Sequence, residues 1–520
     1  MTDVRIVTEP LGGSPLSRFI QRDEAPDGWL RRPPATADAW RALARDRSAE
    51  IGWRDRWDAL GPAIMASGEA AARLARVQRD GGVVVTTGQQ PGLYGGPVYT
   101  WSKAVSALAL ADELEARTGI PTAAVFWAAT DDADFVEAAS TVVARVGGLE
   151  VLRAALAPPA GTPLSLAPLG ELREAARRLA EASGSAADPR PLAAALEAYG
   201  DAALSHGEAF VRLLRALLAP LGIPVLDASH PAVRAASEPV IYSAMQRAAP
   251  IESALATRAG AIRAAGYEPQ VDDVSGLALA FVRDGATKRR LTVAEAGGER
   301  GWLTPNVLLR PIVERAILPT VAYVAGPGEL AYFAQVTAVA DALGIAAPVA
   351  VPRWSCTLIE PAVQGLLDAI GITPSDLDAP GALEGRLART AMHDDTTHAL
   401  AALRETIARL PDALHGESGA LGVAPAVIGA TQSLQHRVDR LERRLAAAIK
   451  RRDTTRMRDV ATLRAALRPQ GMRQERVLNA LPLLARHGWS LLTDMWRAAR
   501  PHAASLIEPA RAAPTGGASR

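Results

Sequence analysis

The stretch from Val83 to Lys103, VVVTTGQQPGLYGGPVYTWSK, constrains the fold of this chain more than any other. It opens on a β-branched run, Val83 to Thr87, and passes through a turn holding Gly88, Gly92, Gly95 and Gly96. After Pro97 it continues as an amphipathic pattern to about Glu115. The expected order is strand, loop, helix. Glycine lets backbone approach a ligand closely, and a helix N-terminus offers N–H groups and a partial positive charge. A phosphate or carboxylate would suit such a turn. It is not a Walker loop, because Pro97 follows Gly96 and Lys103 comes seven residues later, and GxGxxG is absent. An anion site and a plain turn between core elements both fit.

The same logic repeats along the chain. A helix from Ser102 to Arg117 ends at Gly119, and Thr122 to Trp127 is apolar almost throughout, as a parallel strand buried on both faces should be. Gly222 to Asp227, Val321 to Ala325 and Ala346 to Val351 read as three further strands; Val321 to Ala325 runs into Gly326-Pro327-Gly328-Glu329 and a helix to Leu343. Five such strands with intervening helices predict an α/β fold, a Rossmann-like doubly wound parallel sheet with insertions. One insertion is a hairpin, Leu277 to Val282 and Leu291 to Val293, around Asp284-Gly285.

Residues 1 to about 80 are expected to be helical after an irregular start, with helices at Ala39 to Arg47 and Ala59 to Arg79. Leu169 to Ser183 and Pro191 to Leu218 are further helical stretches. Beyond Pro374 come charged, alanine-rich helices, Leu383 to Leu410 and Thr431 to Leu467. In the second, Leu434, Val438, Leu441, Leu445 and Ile449 follow spacings of 4, 3, 4 and 4. This predicts an antiparallel coiled-coil arm, of a kind that mediates dimerisation; a long helix packed on the body is the alternative. The expected division is 1–150 for the N-terminal helices and first half of the core, 151–310 for the insertion and third strand, and 311–375 for the second half. The arm then takes 376–470, return helices 471–510 and a disordered tail 511–520.

Composition bounds the function. Lys and Arg total 57 against 56 Asp and Glu, a net charge of +1, which argues against a dedicated nucleic-acid or membrane-surface binder. The single cysteine, Cys356, excludes an internal disulfide or cysteine-cluster metal site and reads as a buried structural thiol. The N-terminus lacks a signal-peptide pattern, and no apolar run reaches the roughly 18 residues a membrane span needs, so a cytoplasmic protein is expected. No HExxH occurs, His393 and His398 are five apart, and no metal site is expected.

Several polar residues are placed for chemistry. After the second strand, Asp131, Asp132, Asp134 and Glu137 cluster at the sheet edge where open α/β folds bind ligands. Helix N-capping is the alternative reading, but three aspartates within four residues exceed what one cap needs. Lys103, about two turns into its helix, either leans back toward the glycine turn or lies on the surface. Asn306 and Arg310 lie four apart before an apolar run. Arg310 either grips a carboxylate or phosphate or pairs with an acid such as Glu314. Glu329 starts a helix, where capping alone would justify it.

TTGQQPGLYGGPVYTWSK, FWAATDDADFVE, LTPNVLLRPIVERAILPTVAYVAGPGELAYFAQ and LRPQGMRQERVLN occur in that order. Together they resemble the BshC family, to which the cysteine-ligase step of bacillithiol biosynthesis is assigned. The resemblance spans roughly Val83 to Trp489. It implies a Rossmann-like core with connecting-peptide-like insertions and a coiled coil used for homodimerisation. The implied reaction joins cysteine to glucosaminyl-malate by an amide bond, with ATP or ADP as candidate nucleotide and Mg²⁺ left open. Thr87, Gly88, Gln89, Gln90, Gly92, Asp131, Asn306, Gly326, Gly328 and Glu329 would then bind substrate or nucleotide. Lys103, Asp132, Asp134 and Arg310 would act in catalysis. The sequence departs from the family pattern E-D-H-D-F at Ala133, which takes the place of the histidine. That departure keeps two alternatives in view: a ligase for a different amino acid or amine, and a degenerate coiled-coil scaffold.

Overall fold

The structure, a computed structural model, describes residues 3–50, 53–155, 157–272, 274–299, 301–379 and 381–509. The expected tail lies outside the described residues.

Five parallel strands form the central sheet: β1 (Val83–Gln89), β2 (Thr122–Ala128), β3 (Val225–Asp227), β4 (Thr320–Ala325) and β5 (Ala350–Pro352). Their order across the sheet is β5-β4-β1-β2-β3. The chain therefore builds outward from β1 through β2 to β3, then returns to the other side of β1 for β4 and β5. This is the Rossmann-like arrangement that the apolar runs predict, with a topological switch point between β1 and β4.

Alternate residues of β1 and β2 serve opposite faces, as strand geometry requires. Val83, Val85, Ala124 and Phe126 join one apolar cluster, while Val84, Ala123, Val125 and Trp127 join another. Helix α1 (Val98–Thr118) packs on the first face. Its expected amphipathic character is not what the structure shows: nearly every residue from Val98 to Ala111 is buried. The last helix, Ser490–Ile507, packs along it and covers the side that would otherwise face water.

Other elements depart from expectation at identifiable breakers. The irregular start carries a strand, Arg5–Thr8, paired antiparallel with Cys356–Ile359. The run Ala59 to Arg79 is two helices, Trp53–Ile64 and Gly68–Asp80, because Met65 and Gly68 both take left-handed backbone. Pro191 to Leu218 is likewise divided into Arg190–Gly200 and His206–Leu218, the second started by a Ser205–Glu208 capping box. A two-stranded ribbon, Ser140–Arg145 with Gly148–Arg153, spans the expected boundary at 150. The hairpin around Gly285 is present as Leu277–Asp284 and Thr287–Thr292, joined by a third strand, Leu303–Pro305.

The chain divides into two compact units, one of residues 1–143, 150–360 and 474–520, the other of 144–149 and 361–473. In the second unit, Leu383 to Leu410 is broken into Ala382–Thr390 and Asp394–Ala413. Thr431 to Leu467 is broken at Asp453, which ends Ala424–Arg452 and caps Thr454–Leu467. Asp394–Ala413 packs against Ala424–Arg452 through Leu400, Ile407 and Val438, with Leu445 beside them. The heptad thereby splits into two stripes. Val438 and Leu445 face the neighbouring helix, while Leu434 and Leu441 stay 39% and 48% exposed.

Candidate active site

A cleft of about 530 Å³ opens where the C-terminal ends of β1, β2 and β4 meet the switch point. Gly88, Gln89 and Gln90 line it from the end of β1, and Asp131, Asp132 and Ala133 from the turn after β2. Asn306 and Arg310 line it beside the turn Gly326 to Glu329, which follows β4 and begins helix α2 (Pro327–Leu343). Four separate segments of the chain thus converge on one space.

Lys103 and Glu329 hold the two halves of the sheet together at its floor. Lys103 is 4% exposed, and its Nζ lies 2.6 Å from Glu329 Oε2. The same Nζ donates to the Gly88 carbonyl at 2.7 Å and Gln89 Oε1 at 3.0 Å. Glu329 accepts from the Gly326 N–H at 2.6 Å and the Tyr323 hydroxyl at 2.5 Å. Burial opposes both charges and lowers the proton affinity of Lys103. For Glu329, burial is outweighed by the Lys103 and Arg310 charges, which hold the carboxyl below its usual range. Of the two readings for Lys103, the structure shows the residue leaning into the glycine turn.

Arg310 is committed within the protein. Its guanidinium donates to Glu314 Oε2 at 3.0 Å and to the Tyr323 and Tyr332 hydroxyls at 3.0 and 3.1 Å. Glu314 is 1% exposed, and burial lifts its pKa to about 7 against the pull of Arg310. Asn306 caps the run that follows it, with Oδ1 accepting from the Leu308 and Leu309 N–H groups.

The acid loop combines capping and lining. Asp132 Oδ1 accepts from the backbone of Ala133 and Asp134 at 2.6 and 3.1 Å, and Asp134 caps the short helix Phe135–Ala138 through Glu137 N. Asp131 is pushed above the usual carboxylate range by burial, with the Lys288 charge opposing the shift. Ala133 lies on the wall between Asp132 and Asp134 in sequence, and its methyl group borders the cleft.

Three expected site residues lie outside the lining. Thr87 donates its hydroxyl to the Val324 carbonyl at 2.8 Å, Asp134 is exposed at its cap, and Gly92 accepts from the Tyr199 hydroxyl at 3.0 Å. The far side of the glycine turn is closed for the same reason. Asn479 Nδ2 donates to the Leu93 and Tyr94 carbonyls, and the Val98 N–H donates to Leu478 O. The first amide of α1 is therefore already paired. The helix N-terminus that borders the cleft is that of α2, where a Cβ on Gly328 would meet no atom within 4 Å.

Sequence reasoning missed Tyr99, Trp127, Lys288, Arg290, Arg353 and Arg476, all of which line the cleft. Lys288 and Arg290 sit on the inserted hairpin, whose strand pattern carries no chemical signal. Arg476 lies within LRPQGMRQERVLN, so its motif was visible although its place was not. Basic side chains thus face the carboxyls of Asp131 and Asp132. The site can hold an anionic ligand and accept a proton from an amine beside it.

Two family models match the chain: the bacillithiol biosynthesis BshC N-terminal Rossmann-like domain over residues 62–354, and the BshC C-terminal coiled-coil domain over 356–506. A protein of Solibacter usitatus named "Putative cysteine ligase BshC" is 31% identical over 493 residues, covering 89% of this chain and 92% of the relative. Proteins of the same name from Koribacter versatilis and Geobacillus kaustophilus are 33% and 28% identical, covering 85% and 83% of this chain and 86% and 84% of theirs. With both domains matched across the sheet, the cleft and the arm, the chain belongs to the BshC family.

Proposed function

We propose that this protein joins the carboxyl group of cysteine to the 2-amino group of glucosaminyl-malate, the amide-forming last step of bacillithiol biosynthesis. The observation that carries this reading is the meeting, in one cleft, of the Asp131–Asp132 turn with a basic wall at the switch point. Asp132, with Asp131 beside it, positions the amine and takes its proton. Gln89, Gln90 and the Gly88 backbone orient the acyl group. Lys103 and Arg310, fixed by their buried partners, supply positive potential toward the charge that develops on it. The phosphates of ATP or ADP, with Mg²⁺ left open, would lie against the N-terminus of α2 at Gly328, where the backbone faces open space; the Gly326 N–H is already taken by Glu329. The nucleotide supplies activation of the carboxylate.

The same reading places the protein in the cytoplasm as a homodimer. Among the described residues no helix is long and apolar enough to cross a membrane. The exposed stripe of Leu434 and Leu441 supports the arm as the dimer seam.

Ala133 on the cleft wall favours one second reading, a ligase that couples a different amino acid or amine. Incubation of purified protein with glucosaminyl-malate, ATP, Mg²⁺ and single amino acids, read by mass spectrometry, separates the two. Product with cysteine alone supports the first and product with another amino acid supports the second. No amide product with any of them rejects both.

A further inference from the structure

The C-terminal segment beyond the arm contributes a side chain to the cleft that the proposed chemistry does not use. From Gln474 to Ala485 every residue is buried except Arg476. The backbone on both sides of Arg476 is anchored. Gln474 exchanges hydrogen bonds with the N–H and carbonyl of Leu358, both at 2.8 Å. Glu475 takes the Arg353 guanidinium in two parallel bonds of 2.7 Å and the Ser355 hydroxyl at 2.8 Å. Two residues further on, Leu478 and Asn479 hold the glycine turn.

Other cations on the wall have partners inside the protein. Lys103 has Glu329, Arg310 has Glu314 and Arg353 has Glu475. Lys288 donates to the Asp131 carbonyl and sits over the Phe281 ring. Arg476 makes no hydrogen bond or ion pair among the described residues, yet it lines the cleft. A rigidly anchored turn thus presents one guanidinium to the cleft with its donors available.

We infer that Arg476 is a binding residue for an anionic ligand, gripping carboxylate or phosphate oxygens through its planar donor fork. Glu475 and Gln474 are positioning residues that fix the turn carrying it. The inference rests on the cleft being the substrate site, as proposed above, and not on which bond is made there.

The test is calorimetric titration of the full-length protein with succinate, as a dicarboxylate, and with inorganic pyrophosphate. The wild-type protein should bind at least one of them. Arg476→Ala should weaken that binding on the order of tenfold, and Arg476→Lys should restore part of it. The thermal midpoint should stay unchanged, because Arg476 is exposed and makes no hydrogen bond or ion pair among the described residues. Arg263→Ala, an exposed position away from the cleft, should leave binding intact. A loss confined to succinate assigns a carboxylate, and a loss confined to pyrophosphate assigns a phosphate. Unchanged binding in Arg476→Ala, or no binding of either anion by the wild-type protein, overturns the proposal. Failure of the ligase assay alone leaves these titrations unaffected, so the two readings fail separately.

Discussion

Lys103 on α1 and Glu329 on α2 meet across the switch point at 2.6 Å, joining helices that follow β1 and β4. Both side chains are largely buried, at 5% and 16% exposure. Removing one member of such a pair leaves the other buried charge without its nearest partner, at a cost of about 3–5 kcal/mol. Lys103→Met and Glu329→Leu should each lower the urea midpoint strongly. The double variant should recover much of the loss, because two apolar side chains replace two buried charges. Additive losses in the double variant would show that the pair does not act as a unit.

Glu314 gives the fold a pH signature. Its carboxyl holds a proton more tightly in the folded chain, with a pKa of about 7, than at its ordinary value of 4.5. That contribution to stability is complete below about pH 4.5 and is lost as pH rises through about 7. Unfolding free energies measured across this window should fall with pH in the wild-type protein and flatten in Glu314→Gln. An equal slope in both would remove Glu314 as the source.

Two glycines that look alike in sequence should behave differently. A Cβ on Gly88 would lie 3.0 Å from the Trp127 carbonyl and 3.2 Å from its Cβ, whereas Gly328 faces open space. Gly88→Ala should cost about 1–3 kcal/mol of stability by forcing β1 from β2. Gly328→Ala should leave the melting temperature unmoved and reduce turnover, since it narrows the cleft.

The acid loop can be divided by mutation. Asp134→Ala removes a helix cap, worth about 1 kcal/mol, and should leave product formation within a few-fold of wild type. Asp131→Asn and Asp132→Asn alter carboxyls on the cleft wall and should lower kcat by roughly 10²-fold or more. Steady-state kinetics on the three variants decides the assignment; equal kcat losses in all of them would contradict it.

In the arm, Leu434→Glu with Leu441→Glu should yield a folded monomer by light scattering, because both side chains point away from the neighbouring helix. Val438→Glu should instead melt the arm itself, since Val438 is 5% exposed and packs with Leu400 and Ile407. A dimer that survives the double leucine change would move the seam elsewhere.

The strands around the cleft were legible because each is a short apolar run ending at a glycine or acidic turn, and apolar periodicity is local. The Gly88 to Gln90 turn, the Asp131–Asp132 turn and the Gly326 to Glu329 turn were all visible as strand ends. Helix breaks were less legible, because the split after Ile64 depends on single left-handed residues within an unbroken helical pattern.

By itself, then, the sequence determined the alternation of buried strands and helices, their division from a heptad-bearing arm, and the family motifs that meet at the sheet edge. Tertiary structure decided which charges are neutralised and which remain available. It turned Arg310 toward Glu314 and Lys103 toward Glu329, and left Arg476 without a hydrogen bond or ion pair among the described residues. It also buried the outer side of α1 beneath Ser490–Ile507 and paired the first amide of that helix with Leu478. The physical reason is that apolar patterning is written residue by residue along the chain. The pairing of a buried donor with its acceptor depends on distant segments that only the folded sheet brings within 3 Å of each other.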